Sequence, residues 1–185
     1  EVESALAMAV RDVGDRHAIV LGHHPLRSGG PHGAHFGWKE HLFPLREMNR
    51  SLWIPIPLLG SIRHVARMLG VSPQDVPSDA YQRMIQSIER GFAGAPPLVY
   101  AAGHDHDLQV IRGSGATHFE VVSGAGSAPN LTWAHAIPGS LFAAAEPGYA
   151  RIDAGAGGAV ELTIEALDAS GSLVPAFRAC LAERR

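Results

Sequence analysis

The chain has 185 residues, a hydrophobic content of 46% and a formal net charge of −3 at pH 7. This length is sufficient for one domain with its own hydrophobic core. The net negative charge argues against a surface for nucleic acid or for an anionic membrane. The single cysteine, Cys180, excludes an intrachain disulfide. The sequence also shows no signal peptide and no apolar run long enough to span a bilayer.

The first predicted element is an amphipathic helix over residues 2–13 that ends near Gly14. Its apolar residues recur about one turn apart. They are Val2, Leu6, Val10 and Val13. We therefore expect this helix to pack on a sheet.

Two apolar runs each end in a glycine that is followed by histidine. The first run ends in Gly22-His23-His24-Pro25, and the second ends in Gly103-His104-Asp105-His106. Each run is typical of a short buried β-strand. In an extended segment, His104 and His106 point the same way because side chains alternate along a strand. Imidazoles at strand ends are common metal ligands, so we predict that both runs contribute to one metal site.

Residues 36–96 are predicted to be a helical, apolar insertion within a single domain of residues 1–185. Residues 52–59 are apolar, but the run is short and contains two prolines, so it is not a membrane helix. Ser61 is predicted to cap a helix over residues 62–69, and Ser78 is predicted to start another. The insertion is interpreted as a packed subdomain, as a wall beside the site, or as a surface for a membrane or partner. Any membrane contact would involve residues 52–59.

The last third of the chain is predicted to form strands. Residues 116–123 are expected to be a strand followed by a glycine turn. Residues 149–153, 159–167 and 172–178 then alternate or run apolar. Residues 168–171 are predicted to be a hairpin turn between the last two of these segments. We therefore expect an antiparallel second sheet.

These histidine motifs resemble the C-terminal half of the calcineurin-like metallophosphoesterases. The similarity is greatest to the purple acid phosphatase branch, which includes the tartrate-resistant acid phosphatases. It rests on Gly22-His23-His24-Pro25, on His32 nine positions after His23, and on Gly103-His104-Asp105-His106-Asp107. It extends through the segments at 122–127 and 148–153. The resemblance implies an α/β (α+β) fold, namely the C-terminal half of a four-layer α-β-β-α sandwich, and a secreted or periplasmic location.

The resemblance also implies an acid-phosphatase-like hydrolase with a dinuclear metal centre of Fe, Zn or Mn. In such enzymes a metal-activated hydroxide attacks the phosphorus of a phosphoester substrate, and a histidine acts as general acid. By the resemblance, His23 and His104 bind one metal ion, His106 binds the other, and His32 protonates the leaving alcohol. Histidine is a common general acid, because an imidazole side chain ordinarily titrates near neutral pH.

Two further residues of the same loop are candidate substrate ligands. His24 is predicted to touch the phosphate or to support a neighbouring ligand. Arg27 is predicted to steady a phosphate oxygen, since guanidinium groups bind phosphate well. An exposed, solvated arginine is the alternative interpretation.

The remaining metal ligands of the family are missing. Its Asp-x-His, Gly-Asp-x-x-Asp and Gly-Asn-His motifs have no counterpart in the right setting. Asp15-Arg16-His17 precedes a predicted strand instead of following one, and neither Asn49 nor Asn130 lies in Gly-Asn-His. Three neutral imidazoles do not offset the repulsion between two close cations, so a bridging carboxylate is needed. Asp105 is expected to point away from the histidines.

This chain alone is therefore predicted to be incomplete and inactive. Its own N-terminal half, or a second chain, would supply the missing ligands and cover the exposed edge of the sheet. The alternative is a non-catalytic binding module, or an inactive fragment that retains the phosphoesterase fold. A third, weaker interpretation is a hydrolase with a single metal ion held by histidines and no role for phosphate.

Overall fold

The computed structural model describes residues 1–47, 51–56, 58–126, 131–155 and 157–183. Four residues of the segments discussed above lie outside the described residues. They are Asn49, Pro57, Ser127 and Asn130. The helices are α1 (Val2–Arg11), α2 (Trp38–Leu42), α3 (Leu59–Met68) and α4 (Asp79–Phe92), with short 3₁₀ turns at Pro31–Gly33 and Pro44–Glu47. The strands are β1 (Ile19–Leu21), β2 (Val99–Ala102), β3 (Leu108–Arg112), β4 (Phe119–Ser123), β5 (Ser140–Ala144), β6 (Gly148–Ala154), β7 (Val160–Leu167) and β8 (Leu173–Ala182).

The strands form two sheets, which confirms the expected mixed α/β class. The first sheet has the order β1-β2-β4-β3-β5, and the second has the order β6-β7-β8. Strands β1, β2 and β4 are parallel, with Ile19 opposite Val99 and Val99 opposite Phe119. The second sheet is antiparallel throughout, as predicted. Because β1 and β2 are parallel neighbours, their carboxyl ends meet at the same edge of the sheet.

Apolar side chains of the two sheets pack against each other in the main core. Val99, Val110 and Val121 of the first sheet and Leu162 and Ile164 of the second are essentially inaccessible to solvent. Burying one such side chain stabilises the fold by about 1.5–3 kcal/mol. This core fixes the first sheet, and with it the strand ends that carry the histidines.

Helices α1 and α4 cover the other face of the first sheet. Phe92, Tyr81 and Ile85 of α4 pack in one cluster with Val10 of α1 and Tyr100 of β2. The predicted cap of α4 is confirmed, since Ser78 Oγ accepts the backbone N–H of Tyr81 at 3.3 Å. The described residues therefore supply three layers, in the order helix, sheet, sheet.

The insertion divides into two parts. Its second half contains α4 and belongs to the core described above, whereas its first half contains α2 and α3, which pack on each other. The predicted cap of α3 is wrong. The helix begins earlier, with Leu58 at the capping position, and Ser61 lies inside it, where Ser61 Oγ is 3.3 Å from Nδ1 of His41. None of the described helices combines the length and apolarity needed to cross a membrane.

His64 of α3 is buried against the loop that precedes α2. The ring of His64 is fully buried and stacks on Phe36, with ring centroids 4.1 Å apart. Neither ring nitrogen has a hydrogen-bond partner in the described part of the chain. Burial, together with His41, Arg63 and Arg67, lowers the pKa of His64 to about 4 from 6.5, while Glu40 acts in the opposite direction.

We expect this histidine to make the chain less stable in acid. Below pH 6.5 the unfolded chain binds a proton at His64 that the folded chain does not bind until about pH 4. Stability is therefore lost as the pH falls between these values, by on the order of 3 kcal/mol in total. His64→Leu should remove this part of the pH dependence in urea unfolding measured from pH 4 to pH 7. The exposed His118→Leu should leave it unchanged, and equal slopes in both variants would contradict the assignment.

Among the described strands, none pairs with the outer edge of β1 in the first sheet. Strand β1 pairs with β2 in the described sheet, and Leu21 at its end is 78% exposed. An edge strand offers unpaired backbone groups to another strand. We expect the isolated chain to self-associate in light scattering after size exclusion, and Leu21→Lys to reduce that association. Met8→Lys, on the exposed face of α1, is the control, and a monomeric unsubstituted chain would contradict the expectation.

Candidate metal centre

The backbone between β1 and β2 stays paired beyond the strands. The N–H of Gly22 donates to the carbonyl of Ala101 at 2.9 Å, and the N–H of Gly103 donates to the carbonyl of His23 at 3.1 Å. A side chain at position 22 would collide with the Tyr100 hydroxyl, because a Cβ there would lie 2.1 Å from it. Gly22 thus lets the chain pass close to β2 and bring its histidines to the same edge.

Three histidines gather at this edge. The ligating nitrogens of His23, His24 and His104 all lie within 4.8 Å of one another. Nε2 of His23 is 3.3 Å from Nδ1 of His104. The structure therefore brings together His23 and His104, the two predicted ligands of one ion. It places His24, predicted to touch substrate, among them.

The tautomer of His104 is set by a backbone carbonyl. Nε2 of His104 lies 3.0 Å from the carbonyl oxygen of Gln74, which only accepts, so Nε2 carries the hydrogen. Nδ1 then presents its lone pair to the cluster. Metal-binding histidines commonly have their second nitrogen held in this way.

The environment favours the neutral form of two of the three histidines, His104 and His24. Burial, with help from His32 and His24, lowers the pKa of His104 to about 4, although the hydrogen bond to Gln74 acts in the opposite direction. Burial also lowers the pKa of His24, together with the nearby His23 and His32. A neutral imidazole binds a metal ion without first losing a proton.

The segment after β2 is bent, not extended as expected. His104 has a backbone φ of 66°, in the left-handed region that non-glycine residues seldom adopt. Residues 104–107 form bends, and the N–H of Asp105 donates back to the carbonyl of Gly103 at 2.9 Å. The argument that His104 and His106 point the same way is therefore wrong. His106 is not part of the three-histidine cluster, and its role as ligand of a second ion stays a prediction.

His32, the predicted proton donor, lies beside His104. Their ring centroids are 3.9 Å apart. Nδ1 of His32 lies 2.8 Å from a carboxylate oxygen of Asp75, so Nδ1 carries a hydrogen and donates it. Nε2 is then the nitrogen available for proton transfer at the site.

Asp75 is fully buried and is held by Arg67. The guanidinium of Arg67 donates two hydrogen bonds of 2.7 Å to its two oxygens. Burial alone would raise the pKa of Asp75, but the hydrogen bonds from Arg67 and His32 outweigh it and lower the pKa. Asp75 therefore stays ionised and fixes the imidazole of His32.

The sequence reasoning missed Asp75, because it lies in the insertion and matches no motif. Residues 74–76 rim the site, since the N–H of Val76 also donates to the carbonyl of His32 at 2.8 Å. This part of the insertion is a wall of the site, which was one of the three interpretations offered for it. The available signal for Asp75 was its position three residues before Ser78, the residue that caps α4.

Arg27 takes part in an ion pair with a buried glutamate. Its guanidinium contacts both carboxylate oxygens of Glu120 at 3.2 Å and donates to the carbonyls of Arg112 and Pro138. Glu120 lies within β4 and is nearly inaccessible. Burial raises the pKa of Glu120, and the ion pair with Arg27 opposes that rise. Arg27 thus neutralises a buried carboxylate, and its role as a phosphate contact stays a prediction.

A buried polar network anchors the loop that carries His32. Asp105 accepts hydrogen bonds from the Ser28 hydroxyl and from the backbone N–H of His32. Gln109 donates to Ser28 Oγ at 2.9 Å and to Asp107 at 2.8 Å. Burial, reinforced by Asp105, raises the pKa of Asp107 to about 8. Asp105 is not part of the three-histidine cluster, although the segment is not extended as the sequence argument assumed. It holds the loop against the start of β3.

Comparisons with known proteins bear on the fold. No family model matches the chain. No curated protein matches it either. A solved structure described as "GAP50 the anchor in the inner membrane complex of Plasmodium" is similar, with a TM-score of 0.50 and 14% sequence identity. The similar region covers all of this chain and 41% of that one. At this identity the likeness shows a shared fold alone.

Proposed function

We propose that the chain contributes half of a dinuclear metal centre for phosphoester hydrolysis. The observation that carries the proposal is the cluster of His23, His24 and His104 at the ends of two parallel strands, with His32 beside it. The resemblance of the histidine motifs to the metallophosphoesterases points to the same chemistry. Strand ends are also where α/β proteins place their reactive groups.

Two of the three histidines, His23 and His104, have the spacing of ligands to one metal ion. Two nitrogens bound at 2.0–2.1 Å to one tetrahedral ion lie roughly 3.3–3.4 Å apart. Nε2 of His23 and Nδ1 of His104 are 3.3 Å apart, and the tautomer of His104 points its lone pair toward His23. Imidazole ligands suit Zn, Fe and other transition metals.

The reaction would use bound ions and a fixed acid. When bound, the ions lower the pKa of water and offset the negative charge that builds up on the phosphoryl oxygens. His32 would give the proton on Nε2 to the leaving oxygen, while Asp75 and Arg67 hold its ring. Asp75 acts here as a positioning residue, since it touches His32 and not the substrate.

The second ion needs carboxylates from elsewhere. Within the described residues, no carboxylate joins the three-histidine cluster. We propose that an N-terminal half of the protein, or a second chain, adds strands at the open edge of β1 and brings these ligands. The complete domain would then be the four-layer α-β-β-α sandwich that the resemblance implies.

A second candidate function is a non-catalytic binding module. The all-histidine composition of the cluster favours it, because one ion held by three imidazoles lacks the partner ion that the hydrolytic mechanism needs. Such a module would bind metal and keep the fold without hydrolysing phosphoesters.

The test is to isolate the chain from its source cells with whatever remains bound to it. Metal content and hydrolysis of 4-nitrophenyl phosphate and bis(4-nitrophenyl) phosphate are then measured together. We expect about two metal ions per active site and an activity that is lost in His23→Ala and His104→Asn. Metal without activity would support the binding module, and activity that survives both substitutions would exclude the proposed site.

A further inference from the structure

A cavity lies between the first half of the insertion and the segment that precedes β5, and its volume is about 160 Å³. Three of the side chains that line it are apolar, namely Phe43, which follows α2, and Leu131 and Trp133, which precede β5. We call this space the insertion cavity. A cavity of about 150 Å³ is large enough to hold one benzene ring. None of the described residues that line it belongs to the three-histidine cluster.

The side chain of His64 forms a polar part of the cavity wall. It is fully buried, and in the described part of the chain neither of its ring nitrogens has a hydrogen-bond partner. Burial lowers the pKa of His64 to about 4, so at pH 7 the ring is neutral and offers one N–H donor and one nitrogen lone pair. Native proteins usually satisfy buried polar groups, because an unpaired one costs free energy. A molecule bound in the cavity can supply the partner.

The wall around His64 is held in place by contacts that do not need a ligand. Phe36 stacks on the His64 ring, with ring centroids 4.1 Å apart, and its centroid is 5.9 Å from that of Trp133. The indole N–H of Trp133 donates to the carbonyl of His35 at 2.9 Å. Because these rings are already fixed, little conformational entropy is lost when a ligand enters.

Charged groups of both signs border the insertion cavity. Lys39 and Arg46 are cationic, and Glu40 contributes a carboxylate that lies 3.7 Å from Nε2 of His135. An anionic ligand would meet Glu40, and a cationic ligand would meet Lys39 and Arg46. Since like charges repel most strongly where water is excluded, the lining favours a neutral ligand.

We propose that the insertion cavity binds a neutral aromatic compound of one ring that carries a hydroxyl group. The ring would contact Phe43, Leu131 and Trp133, and the hydroxyl group would pair with a nitrogen of His64. A hydroxyl group both donates and accepts, so it suits either tautomer of the histidine. Ligand sites commonly combine aromatic walls with a few polar groups in this way. This inference does not rest on the proposed hydrolytic function.

Water is the alternative occupant, and the walls suit it less well. A buried water molecule typically makes about three hydrogen bonds. Phe43 and Leu131 offer none, and the N–H of Trp133 is already bonded to His35. An aromatic ring covers these apolar walls and still leaves its hydroxyl group for His64.

Titration of the 185-residue chain with phenol at pH 7 tests the proposal. Binding is followed by NMR, through the indole N–H signal of Trp133, with benzoate and toluene as comparison probes. We expect saturable binding of phenol with a dissociation constant of about 1 mM or lower. Benzoate has a similar ring but a negative charge, so it should bind about tenfold more weakly.

His64→Phe isolates the polar contact, because it keeps a ring at this position and removes both nitrogens. Phenol binding should weaken by about tenfold or more, whereas binding of toluene, which has no hydroxyl group, should change by less than about threefold. His118→Phe is the matched control. His118 is exposed and does not line the cavity, so this substitution should leave phenol binding unchanged.

The proposal fails if phenol shows no saturable binding, since the cavity would then hold water only. It also fails if His64→Phe weakens phenol and toluene equally, if His118→Phe has the same effect, or if benzoate binds more tightly than phenol. If His64→Phe does not fold, nuclear Overhauser contacts in the unsubstituted chain decide the matter. We expect contacts between bound phenol and the ring protons of Trp133 and His64, and their absence would place the phenol elsewhere.

Discussion

Replacing His104 by asparagine should lower the affinity of the chain for Zn²⁺ by about 100-fold or more. The substitution removes the nitrogen that lies 3.3 Å from Nε2 of His23, and tetrahedral zinc depends on each of its few protein ligands. Asparagine is the better replacement than alanine here, because it tolerates the positive φ of position 104. Any loss then reports the missing ligand and not a strained backbone.

Competition with a chromogenic chelator measures that affinity, with His118→Asn as the matched control. His118 is exposed and lies outside the cluster, so its loss should change zinc binding less than twofold. We expect His23→Ala to resemble His104→Asn. A cluster that still binds zinc normally after both changes would show that the three histidines are not a metal site.

Replacing Asp75 by alanine should destabilise the chain by about 3–5 kcal/mol. The change leaves the largely buried Arg67 without its carboxylate partner and removes the acceptor of the His32 ring. A loss of this size is a large part of the stability of an ordinary domain. Urea unfolding at pH 7 measures it.

The exposed ion pair between Glu3 and Arg90 is the control for Asp75. Its two side chains are 40% and 58% exposed, so Glu3→Ala should cost less than about 1 kcal/mol.

To separate positioning from stability, we would follow the downfield N–H proton signal of His32 in Asp75→Asn under conditions where the variant is folded. The signal should be lost or moved, and an unchanged signal would mean that Asp75 does not fix the imidazole.

The part of the site that repeats along the sequence was predictable. Each strand–glycine–histidine unit is a local pattern, and parallel strands with right-handed connections bring such ends together. His23 and His104 therefore come close in space although they are 81 positions apart (104 − 23 = 81). The antiparallel second sheet was predictable for the same reason, since alternation and the turn at residues 168–171 are both local signals.

The sequence does not predict contacts between two single residues that lie far apart along the chain. Glu120 is 93 positions from Arg27, and nothing near either residue announces their pairing. Asp75 and His32 are 43 positions apart, with the acid in a segment that has no motif. The left-handed backbone conformation of His104 was not predictable from the sequence either. Glycine usually adopts that conformation, so the sequence favours a turn at Gly103 and not at His104.

The open, three-residue strand β1 has a consequence for folding. It must find β2 across 77 intervening residues (22–98), and such non-local parallel pairing is slow to form. Closing a segment of that length costs little more than closing one of half the size, about 0.6 kcal/mol per doubling. The length of the insertion can therefore vary at little cost in free energy. His23 and His24 join His104 only when β1 has paired with β2. Because this pairing is slow, we expect metal binding to appear late in refolding. A tightly bound metal ion should in turn stabilise the pairing of β1 with β2.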